Sequence, residues 1–135
     1  MSQQHVVELK RQGGPSITGN TFATIAEGAI ARCREQQGFR YLTTSKLRSI
    51  YSLIMNVYVK VNNQQEYVDN RSDIQYLKVR MAYEAGRERS VKEFLDITGL
   101  MVLVDSISSF EQFRLYCRYA EALVAYFKFY GGRDK

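Results

Sequence analysis

The chain has 135 residues, of which 45% are hydrophobic, and it contains a single proline. This composition argues against a disordered chain and predicts one domain that buries its own core without metals or disulfides. The 19 basic and 14 acidic residues give a net charge of +5, which only modestly favours nucleic-acid binding. The first twenty residues hold no long apolar run, so we expect no signal peptide. Two widely separated cysteines, Cys33 and Cys117, predict a cytoplasmic protein with reduced thiols, and nothing in their spacing supports a disulfide.

The N-terminal segment, residues 1–19, combines glycines, Pro15 and scattered polar residues, and it predicts a flexible arm. The arm also carries His5, the only histidine of the protein. The first helix is predicted to begin at Asn20 or Thr21 and to run to about Gln37. Its apolar residues recur at helical spacing: Phe22, Ile25, Ala26, Ala29 and Cys33.

The segment after Leu42 predicts a second helix that has Thr43 or Thr44 as its cap. One side of this helix is apolar and made of Leu47, Ile50, Tyr51, Ile54, Val57, Tyr58 and Val61. The opposite side consists of hydroxyls, an amide and cations, namely Ser45, Arg48, Ser49, Ser52, Asn56 and Lys60. No Asp or Glu occurs between Glu35 and Glu66, so this helix has a polar face without carboxylates.

Residues 62–70 predict a polar linker, and a helix that opens at Ser72 follows it. The apolar residues of this helix are Ile74, Leu77, Met81 and Ala85. Gly86 either lies within the helix or ends it, and in the second case a capping box at Ser90 opens another short helix. The apolar residues 100–104 predict one more short, buried helix.

The C-terminal stretch from Phe110 to Tyr130 is apolar around most of its circumference when wound as a helix. This pattern predicts a helix that the rest of the chain surrounds, with a face left open for a partner as the alternative. Its charged residues argue against a membrane span. Ser108 and Glu111 predict a capping box at its start, and the two glycines that follow Tyr130 predict a left-handed stop.

Together these segments predict an all-α fold, a compact bundle of about five helices around a buried C-terminal helix. The predicted division is a flexible N-terminal arm over residues 1–19 and a single helical-bundle domain over residues 20–135. The sequence contains no internal repeat and no low-complexity tract.

The sequence offers little material for catalysis. His5 lies in the predicted arm, so no Ser-His or Cys-His pair is held in place, and no HExxH or CxxC pattern is present. Five glutamates have Lys or Arg within four residues, which predicts surface ion pairs: Glu84, Glu88, Glu93, Glu111 and Glu121. We therefore predict a protein that is not an enzyme and has no catalytic residue, no metal site and no cofactor.

Residues 43–48 bring together the groups that bind phosphate, because they combine hydroxyls, two cations and the N–H groups of a helix start. A capped helix start with solvated cations explains the same pattern. Further along, Tyr76, Arg80 and Tyr83 share one side of a helix and suit either base stacking or a solvated face. Three cations of the C-terminal helix are open to phosphate contact or to pairing with nearby glutamates: Arg114, Arg118 and Lys128.

Three stretches resemble the small subunit of type III-A CRISPR effector complexes, the Csm small-subunit family. They are LTTSKLRSIYSLI at 42–54, KVRMAYEAGRERSVKEFL at 78–95 and FRLYCRYAEALVAYFKFYGGRDK at 113–135. The resemblance implies a non-catalytic helical bundle that stacks with other copies of itself as a filament beside the subunits that hold the CRISPR RNA. It also implies binding to target RNA paired to the CRISPR RNA, contact with the large polymerase-like subunit, and no membrane partner.

By matching motif, the resemblance assigns seven candidate RNA-binding cations: Lys46, Arg48, Arg80, Arg87 and Lys128, with Arg114 and Arg118 behind them. It assigns no role to the residues before 20. The alternative function is a helical protein-protein adaptor without nucleic-acid binding, whose basic face would serve acidic partners. The polar face without carboxylates favours the RNA-binding subunit.

Overall fold

The computed structural model describes residues 6–133, which form a β-hairpin, six α-helices and two 3₁₀ helices. The hairpin pairs β1 (Glu8–Leu9) with β2 (Ile17–Thr18). The α-helices are α1 (Phe22–Arg34), α2 (Thr44–Tyr58), α3 (Gln64–Asp69), α4 (Arg71–Arg87), α5 (Arg89–Thr98) and α6 (Phe110–Phe129). A first 3₁₀ helix (Gln37–Tyr41) precedes α2, and a second one (Val102–Ser106) precedes α6. His5 lies outside the described residues.

α6 lies at the centre of the molecule, as the sequence predicts. α1, α2, α3, β1 and the second 3₁₀ helix all pack against it. Four aromatic side chains of α6 are fully buried: Phe113, Tyr116, Tyr119 and Phe127. The predicted all-α bundle around a buried C-terminal helix is therefore confirmed, although Phe129 in the last turn is 75% exposed. No helix in the described part is long and apolar enough to cross a membrane.

The start of α6 is capped one residue later than the sequence predicts. The Ser109 hydroxyl accepts a hydrogen bond from the Gln112 N–H (3.2 Å), and the Gln112 side chain in turn accepts from the Ser108 N–H (2.8 Å). The predicted box at Ser108 and Glu111 is therefore wrong. A distant contact helps to fix the register, because the Phe110 N–H donates to the side chain of Gln64 in α3 (2.9 Å).

The end of α6 forms the predicted left-handed stop. Gly131 has a φ of 83°, a conformation that glycine adopts without steric cost. Its N–H donates to the Lys128 carbonyl (3.1 Å), and the Gly132 N–H donates to the Phe127 carbonyl (2.9 Å). This pair of hydrogen bonds is a Schellman motif, and it turns the chain back toward the start of α2.

Residues 8–18, within the segment predicted as a flexible arm, form a β-hairpin. β1 and β2 pair antiparallel with Leu9 opposite Ile17, and both of these side chains are buried. The Gln112 side chain of α6 also donates to the Glu8 carbonyl (2.9 Å). Burial of apolar surface and this contact pack residues 8–18 onto the bundle.

The middle of the chain is more helical than predicted. The expected linker over residues 62–70 contains α3, which Asn63 caps by accepting from the Glu66 N–H (2.9 Å) and which buries Tyr67. α4 includes Gly86 and ends at Arg87, which decides between the two predicted boundaries.

The segments on either side of Gly99 also differ from what the sequence predicts. The predicted capping box at Ser90 is wrong, because Ser90 lies inside α5 and its buried hydroxyl has no partner among the described residues. The predicted short buried helix over residues 100–104 is a 3₁₀ helix that buries Leu103 and Val104. Gly99 itself is left-handed and ends α5.

Candidate nucleic-acid interface

The start of α2 is built from two distant parts of the chain. The Thr43 hydroxyl accepts from the Lys46 N–H (3.1 Å), so Thr43, one of the two predicted caps, is the N-cap. The Thr44 N–H donates to the carbonyl of Arg133 (2.6 Å), which lies just after the turn that ends α6. The C-terminal segment therefore supplies one of the hydrogen bonds that a helix start requires.

The outward face of α2 is polar and exposed, and α2 contains no carboxylate. Arg48 stands on this face among Ser45, Ser49 and Ser52, and the Ser49 hydroxyl donates to the Ser45 carbonyl (3.2 Å). The Arg48 side chain forms no ion pair or hydrogen bond with any other described residue. Its guanidinium keeps its full charge and all of its donors for a ligand.

Lys46 lies in a different environment, at the contact between α2 and α4. Its ammonium group is 3.1 Å from the Glu88 carboxylate and donates to the Tyr41 carbonyl (2.7 Å). At the other end of the same contact, Lys60 pairs with Asp73 (2.9 Å). The two pairs align α2 antiparallel to α4, and the charge of Lys46 is partly neutralised.

The outward face of α4 carries the predicted stripe of tyrosines and arginines. Tyr76 and Tyr83 are 55% and 62% exposed. Arg80 is exposed between them and has no partner among the described residues. Arg87 lies 5.6 Å from the centre of the Tyr83 ring and 3.6 Å from the Glu84 carboxylate. Flat aromatic faces beside guanidinium groups suit stacking of single-stranded bases.

The three cations predicted on α6 are also exposed. Arg114 and Arg118 border a cavity of about 200 Å³ between α6 and the N-terminal segment. Neither of them pairs with Glu111 or Glu121, so the glutamate pairing considered for these arginines does not occur in the described part of the chain. Lys128 stands in the last turn of α6.

Sequence reasoning did not select two cations that the fold brings close to Lys46. Arg40 and Arg133, which are 93 residues apart, line one cavity of about 470 Å³ with Lys46, Tyr41, Thr43 and Ser45. Arg40 could have been identified from the sequence, because it lies inside the stretch without Asp or Glu. No local pattern identifies Arg133, because only the turn after α6 brings it here.

The two cysteines are not suited to nucleophilic catalysis. Burial raises the pKa of the Cys33 thiol to about 12 and also raises the pKa of the Cys117 thiol. Both cysteines are free and buried, so neither is a reactive thiolate. No group of three or more His, Cys, Asp or Glu residues within residues 6–133 is placed to hold a metal ion.

The family model and the similar proteins found by comparison all point to the same family. The model of the family Csm2 Type III-A matches residues 20–133, a region that contains all seven predicted cations. The chain is 36% identical over 119 residues to the Streptococcus thermophilus protein named CRISPR system Cms protein Csm2, which covers 87% of this chain and 98% of that protein. It is 47% identical over 98 residues to a protein of the same name from Enterococcus italicus, with 68% and 70% covered. A Mycobacterium tuberculosis protein of that name is 34% identical over 124 residues, with 89% and 99% covered.

Proposed function

This chain belongs to the Csm2 family, the small subunits of type III-A CRISPR complexes, and from that premise we propose that it binds target RNA through phosphate contacts without catalysing a reaction. The target RNA is paired to the CRISPR RNA, and sequence choice belongs to that pairing. The protein positions the backbone of the RNA, since phosphate contacts fix position and carry no sequence information.

The observation that carries this proposal is the pair of unneutralised arginines on α2 and α4. Arg48 and Arg80 are both exposed and lack an ion pair among the described residues. α2 contains no carboxylate, and the two carboxylates of α4, Asp73 and Glu84, pair with Lys60 and Arg87. Exposed arginines without ion pairs contribute little to the stability of the fold. They can bind an anionic RNA strand by direct electrostatic contact. Lys46 and Arg87 are weaker candidates because Glu88 and Glu84 share their charge. Arg114, Arg118 and Lys128 remain proposed contacts on α6.

The proposed partners follow from the same family. We infer that the protein assembles in the cytoplasm with other copies of itself, with the subunits that hold the CRISPR RNA and with the large polymerase-like subunit. Exposed apolar side chains such as Val59 and Phe129 support contacts with other proteins.

RNA binding over a series of salt concentrations tests the proposal. Fluorescence anisotropy with two unrelated single-stranded RNAs should give similar affinities for the purified chain. Arg48→Ala and Arg80→Ala should weaken both equally and should each flatten the slope of log K against log salt by ~0.7. The control is Lys92→Gln, which removes one positive charge from α5, where Lys92 is paired with Asp96 (3.0 Å). This control should leave affinity and slope close to wild type.

Two outcomes contradict the proposal. If the wild-type chain binds neither RNA at low salt, the protein-only adaptor is the better account of this surface. If RNA is cut in a metal-dependent manner that disappears when carboxylates of this chain are replaced, the non-catalytic role is wrong.

A further inference from the structure

The cavity beside the start of α2 collects positive charge from three segments of the chain. Arg40 comes from the first 3₁₀ helix, Lys46 from the first turn of α2, and Arg133 from the segment after α6. The remaining lining residues all carry hydroxyl groups: Tyr41, Thr43 and Ser45. The cavity therefore presents cations and hydroxyl donors to one volume of about 470 Å³.

Backbone and ring contacts hold the two guanidinium groups in place. Arg133 donates from Nη1 to the Arg40 carbonyl (3.0 Å), and its own carbonyl is bound by the Thr44 N–H. The Arg40 guanidinium lies over the Tyr41 ring, 5.3 Å from its centre. These contacts restrain both arginines and leave their charges uncompensated within the described residues.

Among residues 6–133, only one acidic group reaches the cations of this cavity. Glu88 pairs with Lys46 across the contact between α2 and α4, at 3.1 Å. Counted over the described residues alone, three positive charges and one negative charge give the cavity an excess of two positive charges, and a concave surface of one sign concentrates its field. Such a site favours a compact anion with several oxygen acceptors.

We propose that this cavity binds one phosphate group of the RNA backbone, with Arg40 and Arg133 as its principal cations. The planar fork of a guanidinium group matches the oxygens of a phosphate and donates two parallel hydrogen bonds to them. Lys46 and the hydroxyls of Thr43 and Ser45 complete the set of donors. This inference rests on the proposed RNA binding and extends it, because neither arginine belongs to the cations assigned by the family resemblance.

Glu88 acts against this site. Its carboxylate holds part of the charge of Lys46 and repels an incoming phosphate, so it lowers the affinity that three free cations would give. Removing this carboxylate without changing its size should therefore tighten RNA binding.

The test compares matched charge variants in the same anisotropy titration. Arg40→Gln and Arg133→Gln keep side-chain donors and leave the backbone bond between Thr44 and Arg133 intact, so the fold should be retained, as circular dichroism will check. Each variant should weaken RNA binding by about tenfold and flatten the salt slope by ~0.7, as expected for loss of a charged phosphate contact. Lys92→Gln changes the net charge by the same amount and should change neither the affinity nor the salt slope.

A second pair of variants tests whether removing a negative charge beside the cavity tightens RNA binding. Glu88→Gln should bind RNA several-fold more tightly than Glu35→Gln, since both raise the net charge by one and Glu35 is exposed and unpaired in the described structure. Equal affinities of these two variants would contradict the inference.

The result also separates this inference from the proposed function. If Arg48→Ala weakens RNA binding while Arg40→Gln and Arg133→Gln behave as Lys92→Gln does, the cavity is not a phosphate site and the proposed function stands. If the wild-type chain binds no RNA, both the phosphate-site inference and the proposed function are wrong.

Discussion

At the scale of single residues, four titratable side chains are held neutral in the core. Burial raises the pKa of Cys33 to about 12 and of Tyr119 to about 12, and it also raises the pKa of Tyr116 and Cys117. The two tyrosines are satisfied by backbone carbonyls, since Tyr116 donates to Leu100 and Tyr119 to Thr98, both at 2.6 Å. The protonated forms are the ones that the folded core accommodates.

These raised pKa values predict a loss of stability at alkaline pH. Below pH 8 the four groups are protonated in both the folded and unfolded states, so their stabilising effect is fully present. Above their unfolded pKa values the unfolded chain releases protons that the folded chain retains, so the free energy of unfolding falls as pH rises. Each such group contributes about 1.4 kcal/mol per pH unit until its folded pKa is reached. Urea titrations between pH 7 and pH 11 measure this slope.

Cys33→Ala provides the matched variant for this measurement. It removes one thiol, so its slope above pH 9 should be shallower than that of wild type by about 1.4 kcal/mol per pH unit. The smaller side chain also lowers stability at every pH, but that loss does not depend on pH. Equal slopes for the two proteins would show that Cys33 does not titrate with a raised pKa.

The helix caps show which structural roles could be predicted from the sequence. The cap of α2 could be narrowed to Thr43 or Thr44, and it is Thr43, whose hydroxyl bonds within its own helix turn. Ser108 and Ser109 are adjacent and equally suited to cap α6, and the choice depends on Gln64 and Glu8, which contact this turn from distant elements. Arg133 was not predictable for the same reason, because its neighbours in space are far away in sequence.

At the scale of elements, one arginine links the N-terminal hairpin to the end of α5. Arg11, between β1 and β2, donates to the carbonyls of Asp96 (2.8 Å) and Ile97 (2.9 Å) in the last turn of α5. Carbonyls at a helix end lack partners within the helix, so the guanidinium caps α5. It also covers Gly99, where a Cβ atom would lie 2.7 Å from the Arg11 side chain.

Arg11→Ala should therefore loosen two elements together. We expect the free energy of unfolding to fall by about 1–3 kcal/mol, because hydrogen bonds that involve a charged group contribute on that scale, and one of these two bonds is partly buried. Hydrogen exchange should rise in β1, β2 and the last turn of α5, while α2 should be unaffected. Lys10→Ala is the control, since Lys10 is exposed and its removal should cost less than about 0.5 kcal/mol.

The hairpin itself could not be predicted from the local sequence. Each of its strands has two residues, too short for the alternating pattern that identifies a strand. Its stability depends on burying Leu9 and Ile17 against the helices and on the Arg11 contact. By contrast, α2, α4 and α6 were predictable because their apolar residues repeat at the helical period over 15, 17 and 20 residues.

At the scale of the whole molecule, the fold is organised around α6. Five other elements pack against it, so most of its circumference is covered. Opening α6 exposes the largest part of the core, and this event approaches complete unfolding. α1 covers only one side of α6, and the hairpin is peripheral.

Hydrogen exchange should reproduce this order. Amides in the middle of α6, around Tyr116 to Leu123, should exchange last and with the free energy of global unfolding. Amides of β1 and β2 should exchange first among the ordered segments. Protection that is lost in α6 before it is lost in α1 would contradict the central position assigned to α6.

The turn after α6 has a practical consequence for anyone who labels or tethers this protein. The Arg133 carbonyl accepts from the Thr44 N–H and Arg133 lines the cationic cavity, so a dye or affinity tag attached at this position stands beside the cavity. A bulky or acidic tag there competes with RNA for that volume and produces a spurious loss of affinity. A small environment-sensitive dye at the same position instead reports directly on whether the cavity is filled.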